Sequence, residues 1–132
     1  MTLAQIRDYF KTAFQWSEAL YVGKIDNDKE KAVCFYNSRV PRAKIDTVGG
    51  KSNRDYELKP VTILLRWGRN ASAAEQKAQE IFDFFDEKTF TLNNKRVFLI
   101  SPYNGPIDLG TDDKGVYEYS FEFDFYSEKG VN

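Results

Sequence analysis

The chain contains no histidine. That absence excludes histidine-dependent triads, histidine general acid–base steps and histidine-ligated metals. A single cysteine, Cys34, rules out an internal disulfide and a cysteine metal cluster. Charge of one sign is also missing: 19 basic residues against 20 acidic ones leave a net charge of −1, which gives no global attraction to nucleic acid or to an anionic membrane. No apolar run approaches the roughly 18 residues of a membrane span. The first residues, Met1 to Arg7, lack the basic start and apolar centre of a signal peptide, so synthesis inside the cell and no membrane partner are expected.

What is abundant is aromatic. Phe, Tyr and Trp make up 16% of the 132 residues, so either the core is built from rings or some rings await a partner. The length predicts one domain, residues 1–132, because two cores would leave each half undersized.

Leu3, Ile6, Phe10, Ala13 and Phe14 recur at three- and four-residue steps and predict an amphipathic helix over 2–16, with Thr2 and Gln5 as a capping box. Two strands, 19–25 and 31–37, flank the polar stretch Asp26-Asn27-Asp28-Lys29-Glu30, which reads as a hairpin turn. A calcium loop fails there, since its Gly and Glu positions hold Lys31 and Asn37. The run Val61 to Trp67 fits a strand buried in the middle of a sheet. Ser72 and Glu75 suggest a capping box for a second helix, whose stripe is Ala74, Ala78, Ile81, Phe82 and Phe85. Phe90 to Leu92, the Asn93-Asn94 turn and Arg96 to Ile100 suggest a small hairpin. Finally Tyr117, Tyr119, Phe121, Phe123 and Phe125 alternate with Glu118, Ser120, Glu122 and Asp124, predicting a strand with one packed face and one wet, acidic face.

Residues 38–60 are the least core-like. They hold six basic residues against three acidic ones, are bounded by Pro and Gly, and read as an extended arm protruding from an α+β body. Gly49-Gly50-Lys51-Ser52 echoes a phosphate loop, but no glycine stands where its first glycine belongs. Residues 112–129 carry six acids against two lysines, so a basic arm and an acidic face coexist and could meet head to tail between copies. The carboxylates at 118, 122 and 124 have no nucleophile or metal partner in the sequence pattern. No catalytic residue, cofactor or metal is expected, and the chain reads as a non-enzyme.

The order of these elements, ending in Pro106-Ile107-Asp108-Leu109-Gly110-Thr111-Asp112-Asp113-Lys114-Gly115-Val116-Tyr117 and the aromatic strand, resembles the tail terminator proteins of long-tailed bacteriophages, also labelled phage minor capsid proteins. The resemblance implies a single mixed, mostly antiparallel sheet with two helices packed on one face. It also implies a hexameric ring of the chain with itself, seated on the head-proximal end of the tail, that ends tube growth and joins the head. Its partners would be the tail tube protein and the head–tail connector protein, with DNA only passing through. It places Arg39, Arg42, Lys44, Ile45, Val48, Tyr56 and Leu58 of the arm against neighbouring subunits or the tube, and Glu118, Glu122 and Asp124 along the channel. A head-closure ring component and a small-ligand-binding α+β domain are the alternatives.

Overall fold

The structure, a computed structural model, describes residues 1–39 and 56–128. The first helix, α1, spans Leu3–Ala13 and begins at the expected capping box: Thr2 Oγ1 accepts from the Gln5 backbone N–H at 3.2 Å, and Gln5 Oε1 accepts from Thr2 N–H at 2.8 Å. It ends three residues before 16. Gln15 adopts the left-handed conformation (φ 61), and the Trp16 N–H donates to the Lys11 carbonyl at 3.1 Å, the six-to-one bond of a Schellman ending. Trp16 then turns into the core and its Nε1 donates to the Ala19 carbonyl at 3.0 Å. Ile6 and Phe10 of the anticipated stripe are buried, while Ala13 is exposed.

Helix α2, Ala71–Phe85, buries Ala74, Ala78, Ile81, Phe82 and Phe85, the stripe the spacing predicts. Its cap is not Ser72. Asn70 stands before the helix with extended backbone, and its Oδ1 accepts from the Ala73 N–H at 2.9 Å, so Ser72 lies already inside the first turn. Asn70→Ala should accordingly cost about 1 kcal/mol and Ser72→Ala no more than about 0.5 kcal/mol, which urea unfolding of the two variants measures.

Among the described residues seven strands form one sheet: β1 Ala19–Val22, β2 Lys31–Asn37, β3 Tyr56–Trp67, β4 Thr89–Leu92, β5 Lys95–Ile100, β6 Ile107–Thr111 and β7 Tyr117–Glu128. Their order is β1-β2-β3-β7-β5-β4, with β6 pairing β7 beyond the end of β5. All pairs are antiparallel except β1 with β2, so the sheet is mixed and mostly antiparallel as the resemblance implies. Its spine is β3 against β7, in register from Tyr56–Glu128 to Arg66–Glu118.

The parallel β1–β2 pair corrects the expected hairpin. Ala19 lies beside Ala32 and Val22 beside Phe35, so the chain must travel back along the sheet between them. Gly23 (φ 78) ends β1, and residues 23–30 make that return as a strap, its carbonyls drawn to Arg66 on β3. A two-residue turn would have paired the strands the other way; eight residues with an internal cation as anchor allow the return. The β4–β5 hairpin does form on Asn93 and Asn94, both at positive φ (53 and 63), the pair of left-handed residues a tight turn matched to strand twist demands.

The alternation along β7 sorts the molecule into two sides. Tyr119, Phe121, Phe123 and Phe125 join Val33 and Phe35 of β2, Val61, Ile63 and Leu65 of β3, Val97 and Leu99 of β5, and the buried faces of both helices in one core. Rings make up much of it: Phe85 alone lies within 6.4 Å of Phe10, Phe35, Phe84, Phe123 and Phe125, centroid to centroid. Both helices therefore cover one face of the sheet. Among the described residues the opposite face of the sheet carries no helix.

Candidate functional site: the helix-free face of the sheet

Of the residues expected on an arm, Arg42, Lys44, Ile45 and Val48 lie outside the described residues, and Arg39 is exposed just past the end of β2. Tyr56 and Leu58 are not on an arm. They belong to β3, paired with Glu128 and Tyr126, so the strand begins five residues before Val61 and runs through Pro60. Proline is tolerated there because its carbonyl accepts from Ser38 N–H on the β2 side, which places its missing N–H on that side too, beyond the last β2 partner, and no bond to β7 is lost.

At this end of the sheet the helix-free face is apolar. Cross-strand register brings Leu58, Tyr126 and Phe98 into one row and Pro60, Asp124 and Ile100 into the next. Phe98 stacks on Tyr126 at 5.0 Å and meets Tyr56 edge-on at 5.2 Å. Ile100 and Tyr56 remain 51% and 40% exposed, large values for side chains that have apolar neighbours to pack on. The sequence signal for this patch was the run Val97-Phe98-Leu99-Ile100, apolar on both faces of a strand that has helices on one side only.

The face expected to be wet and acidic is largely enclosed. Glu122 and Asp124 are 7% and 8% exposed. Glu122 accepts from the Thr62 hydroxyl at 2.6 Å and from the Ser38 hydroxyl at 2.9 Å. The period-two pattern identified the correct face, but it could not show that hydroxyls from Thr62 on β3 and Ser38 after β2 reach Glu122 there.

Glu118 faces a residue that the pattern did not single out. Arg66, the one charged side chain in the apolar run Val61–Trp67, is 1% exposed on the helix-free face. Its Nη1 donates to Glu118 at 3.0 Å, its Nη2 to Asp112 at 2.8 Å and to the Asn27 carbonyl at 3.4 Å, and its Nε to the Lys29 carbonyl at 3.1 Å. Burial works to lower the affinity of this guanidinium for its proton. The bonds to Asp112 and Glu118 outweigh that and hold it above its usual value.

Asp112 is bound from both sides. Its Oδ1 accepts the N–H groups of Lys114 and Val116, each at 2.9 Å, closing the turn in which Gly115 takes a positive φ of 81. The Val116 N–H is the main reason its carboxyl titrates below the usual range, with Arg66 and Lys114 adding to it. The Pro106–Tyr117 stretch is therefore a bulged hairpin. Between Asp108 and Gly110 the β6–β7 register slips, Asp108 Oδ1 takes the Gly110 N–H at 2.7 Å, and Leu109 is turned out, 50% exposed.

A curled sheet with helices on one face and an apolar patch on the other, with Asp112, Glu118 and Glu122 held in hydrogen bonds and ion pairs, defines an α+β protein. The chain belongs to the bacteriophage tail terminator family: the family described as bacteriophage tail terminator protein matches residues 11–128 of the 132. It is a structural protein of a phage tail. No curated protein and no solved structure matches it.

Proposed function

We propose that this protein assembles with itself into a hexameric ring that caps the head-proximal end of the tail tube, stops tube polymerisation and offers the surface on which the head joins. The observation that carries this reading beyond family membership is the apolar patch of Tyr56, Leu58, Phe98, Ile100 and Tyr126 on the sheet face opposite the two helices. A patch of this kind that meets a different surface on the next copy makes a heterologous contact, and such contacts close into rings when the rotation permits. In this reading Arg39, Arg42, Lys44, Ile45 and Val48 supply further basic and apolar groups for contact with neighbouring subunits or the tube.

The partners are the chain itself, the tail tube protein and the head–tail connector protein. DNA passes through without being read, and no cofactor, metal or catalysis is involved. Synthesis in the bacterial host cytoplasm is followed by residence in the virion at the head-proximal end of the tail. Glu122 and Asp124, enclosed within the subunit, add nothing to a channel in this reading, and Glu118 is turned to Arg66, which it shares with Asp112.

Mixing the purified chain with its tail tube protein tests the assignment, with sedimentation velocity and negative-stain imaging as readouts. Six-fold rings on one end of tubes of uniform length are expected. A chain that stays monomeric beside growing tubes, or rings that bind the connector and ignore the tube, would overturn it, the latter in favour of a head-closure component.

A further inference from the structure

The strap, residues 23–30, crosses the half of the helix-free face that the apolar patch leaves over. The Gly23 N–H donates to the Phe35 carbonyl at 2.9 Å, the backbone of Gly23 and Lys24 lies against the Cys34 thiol, and that of Ile25 against the Tyr36 hydroxyl. The Glu30 carbonyl then accepts from the Gly68 N–H at 2.7 Å, and its carboxylate pairs with Arg69 at 3.0 Å. Under it Ala32 and Cys34 are fully enclosed. The strap itself has almost nothing to bury: Ile25 is its one apolar side chain and is only half-buried, and Asp26, Asn27, Asp28, Lys29 and Glu30 are all exposed. Segments with few apolar contacts and solvent-facing backbone bonds are those that open locally without global unfolding. What holds this one down in its middle is Arg66, through the carbonyls of Asn27 and Lys29.

The same guanidinium holds Asp112, whose other oxygen closes the turn at 112–116. The strap and that turn are separated by more than eighty residues of sequence yet share one planar fork of donors.

We propose that residues 23–30 are a strap that opens and closes as a unit, and that Arg66 is its latch, coupling it to the 112–116 turn so that loosening either element loosens both. Opening uncovers Ala32 and Cys34 and makes this half of the sheet face as accessible as the apolar half. A partner that engages the turn is thereby felt at the strap. The inference is independent of the ring assignment.

Cys34, the single thiol, reports the opening directly. Its reaction with an aromatic disulfide reagent is followed in the full-length chain under native conditions and in low urea, with tryptophan fluorescence recording global unfolding. In the wild type the labelling rate should be nearly independent of urea well below the unfolding transition, as for a local opening. Asp112→Asn keeps an oxygen for the Lys114 and Val116 N–H groups but loses the charge that holds Arg66. Labelling should accelerate about tenfold or more, although the substituted residue belongs to the turn. Arg66→Lys, which cannot reproduce the fork, should accelerate it at least as much, and Asp113→Asn, on the exposed neighbour, should not change it. Wild-type labelling that climbs with urea in step with unfolding would show that the strap never opens alone. An unchanged rate in Asp112→Asn would show that no coupling exists. Should Arg66→Lys fail to fold, those two measurements decide the matter by themselves.

Discussion

Phe85→Ala should lower the free energy of unfolding by about 3–5 kcal/mol, a large share of the 5–15 kcal/mol that a domain of this size typically possesses. Phe85 is fully buried at the C-terminal end of α2, where five other rings from α1, α2, β2 and β7 surround it. Rigid rings contributed by four elements cannot collapse together around an alanine, so most of the cavity remains and its full cost is felt. Tyr9 is the useful comparison: it stacks on Phe90 at 3.9 Å but lies at the margin, half-buried, and Tyr9→Ala should cost clearly less. Chemical denaturation of the isolated chain checks both. A Phe85→Ala loss under about 1.5 kcal/mol would mean that the helices do not share the aromatic core described above.

Ile100→Lys should leave the isolated chain as stable as the wild type to within about 0.5 kcal/mol and reduce ring assembly and completion of tails of correct length by at least about tenfold. The side chain is half exposed and sits opposite Asp124, so a lysine meets no like charge and vacates no cavity. In a ring, however, each copy would place that ammonium in an apolar contact among Phe98, Tyr126, Tyr56 and Leu58. A contact residue at the centre of an interface commonly carries about 2 kcal/mol, some thirtyfold in affinity, and a closed ring repeats the loss at every junction. Tyr56→Lys should act in the same direction. Electron microscopy of tails grown with each variant measures the effect, together with a urea curve for the free chain; normal tails from both variants would remove the patch from the assembly surface.

The elements that could be read from the chain are those whose determinants are close in sequence. The α2 stripe, the Thr2–Gln5 capping box, the Asn93-Asn94 turn and the β7 alternation are each specified within a few residues, by helical period, cap chemistry, left-handed turn residues or strand period. The two helix boundaries were less legible. Asn70 and Ser72 are both good caps, and only the course of the chain after Gly68 selects the first; the end of α1 depends on Trp16 finding a place in the core.

The candidate surface was half visible. Tyr56 and Leu58 are apolar residues of the stretch that reads as an arm, yet they lie on a strand beside Phe98, Ile100 and Tyr126, forty to seventy residues away. Glu122 and Asp124 had the period of a solvated face and are enclosed, because whether the polar side of a strand meets water depends on what the rest of the chain lays over it.

By itself the sequence determined the exclusions that follow from no histidine and one cysteine, the two helix stripes, and an aromatic strand that had to face them. These follow from residue chemistry and local period. Only the tertiary structure decided that β1 runs parallel to β2, that an arginine inside an apolar run joins a strap to a distant turn, and that one end of the helix-free face keeps its apolar side chains outside. Those outcomes rest on groups remote in sequence competing for the same donors and the same buried space, a competition settled only when the whole sheet is assembled.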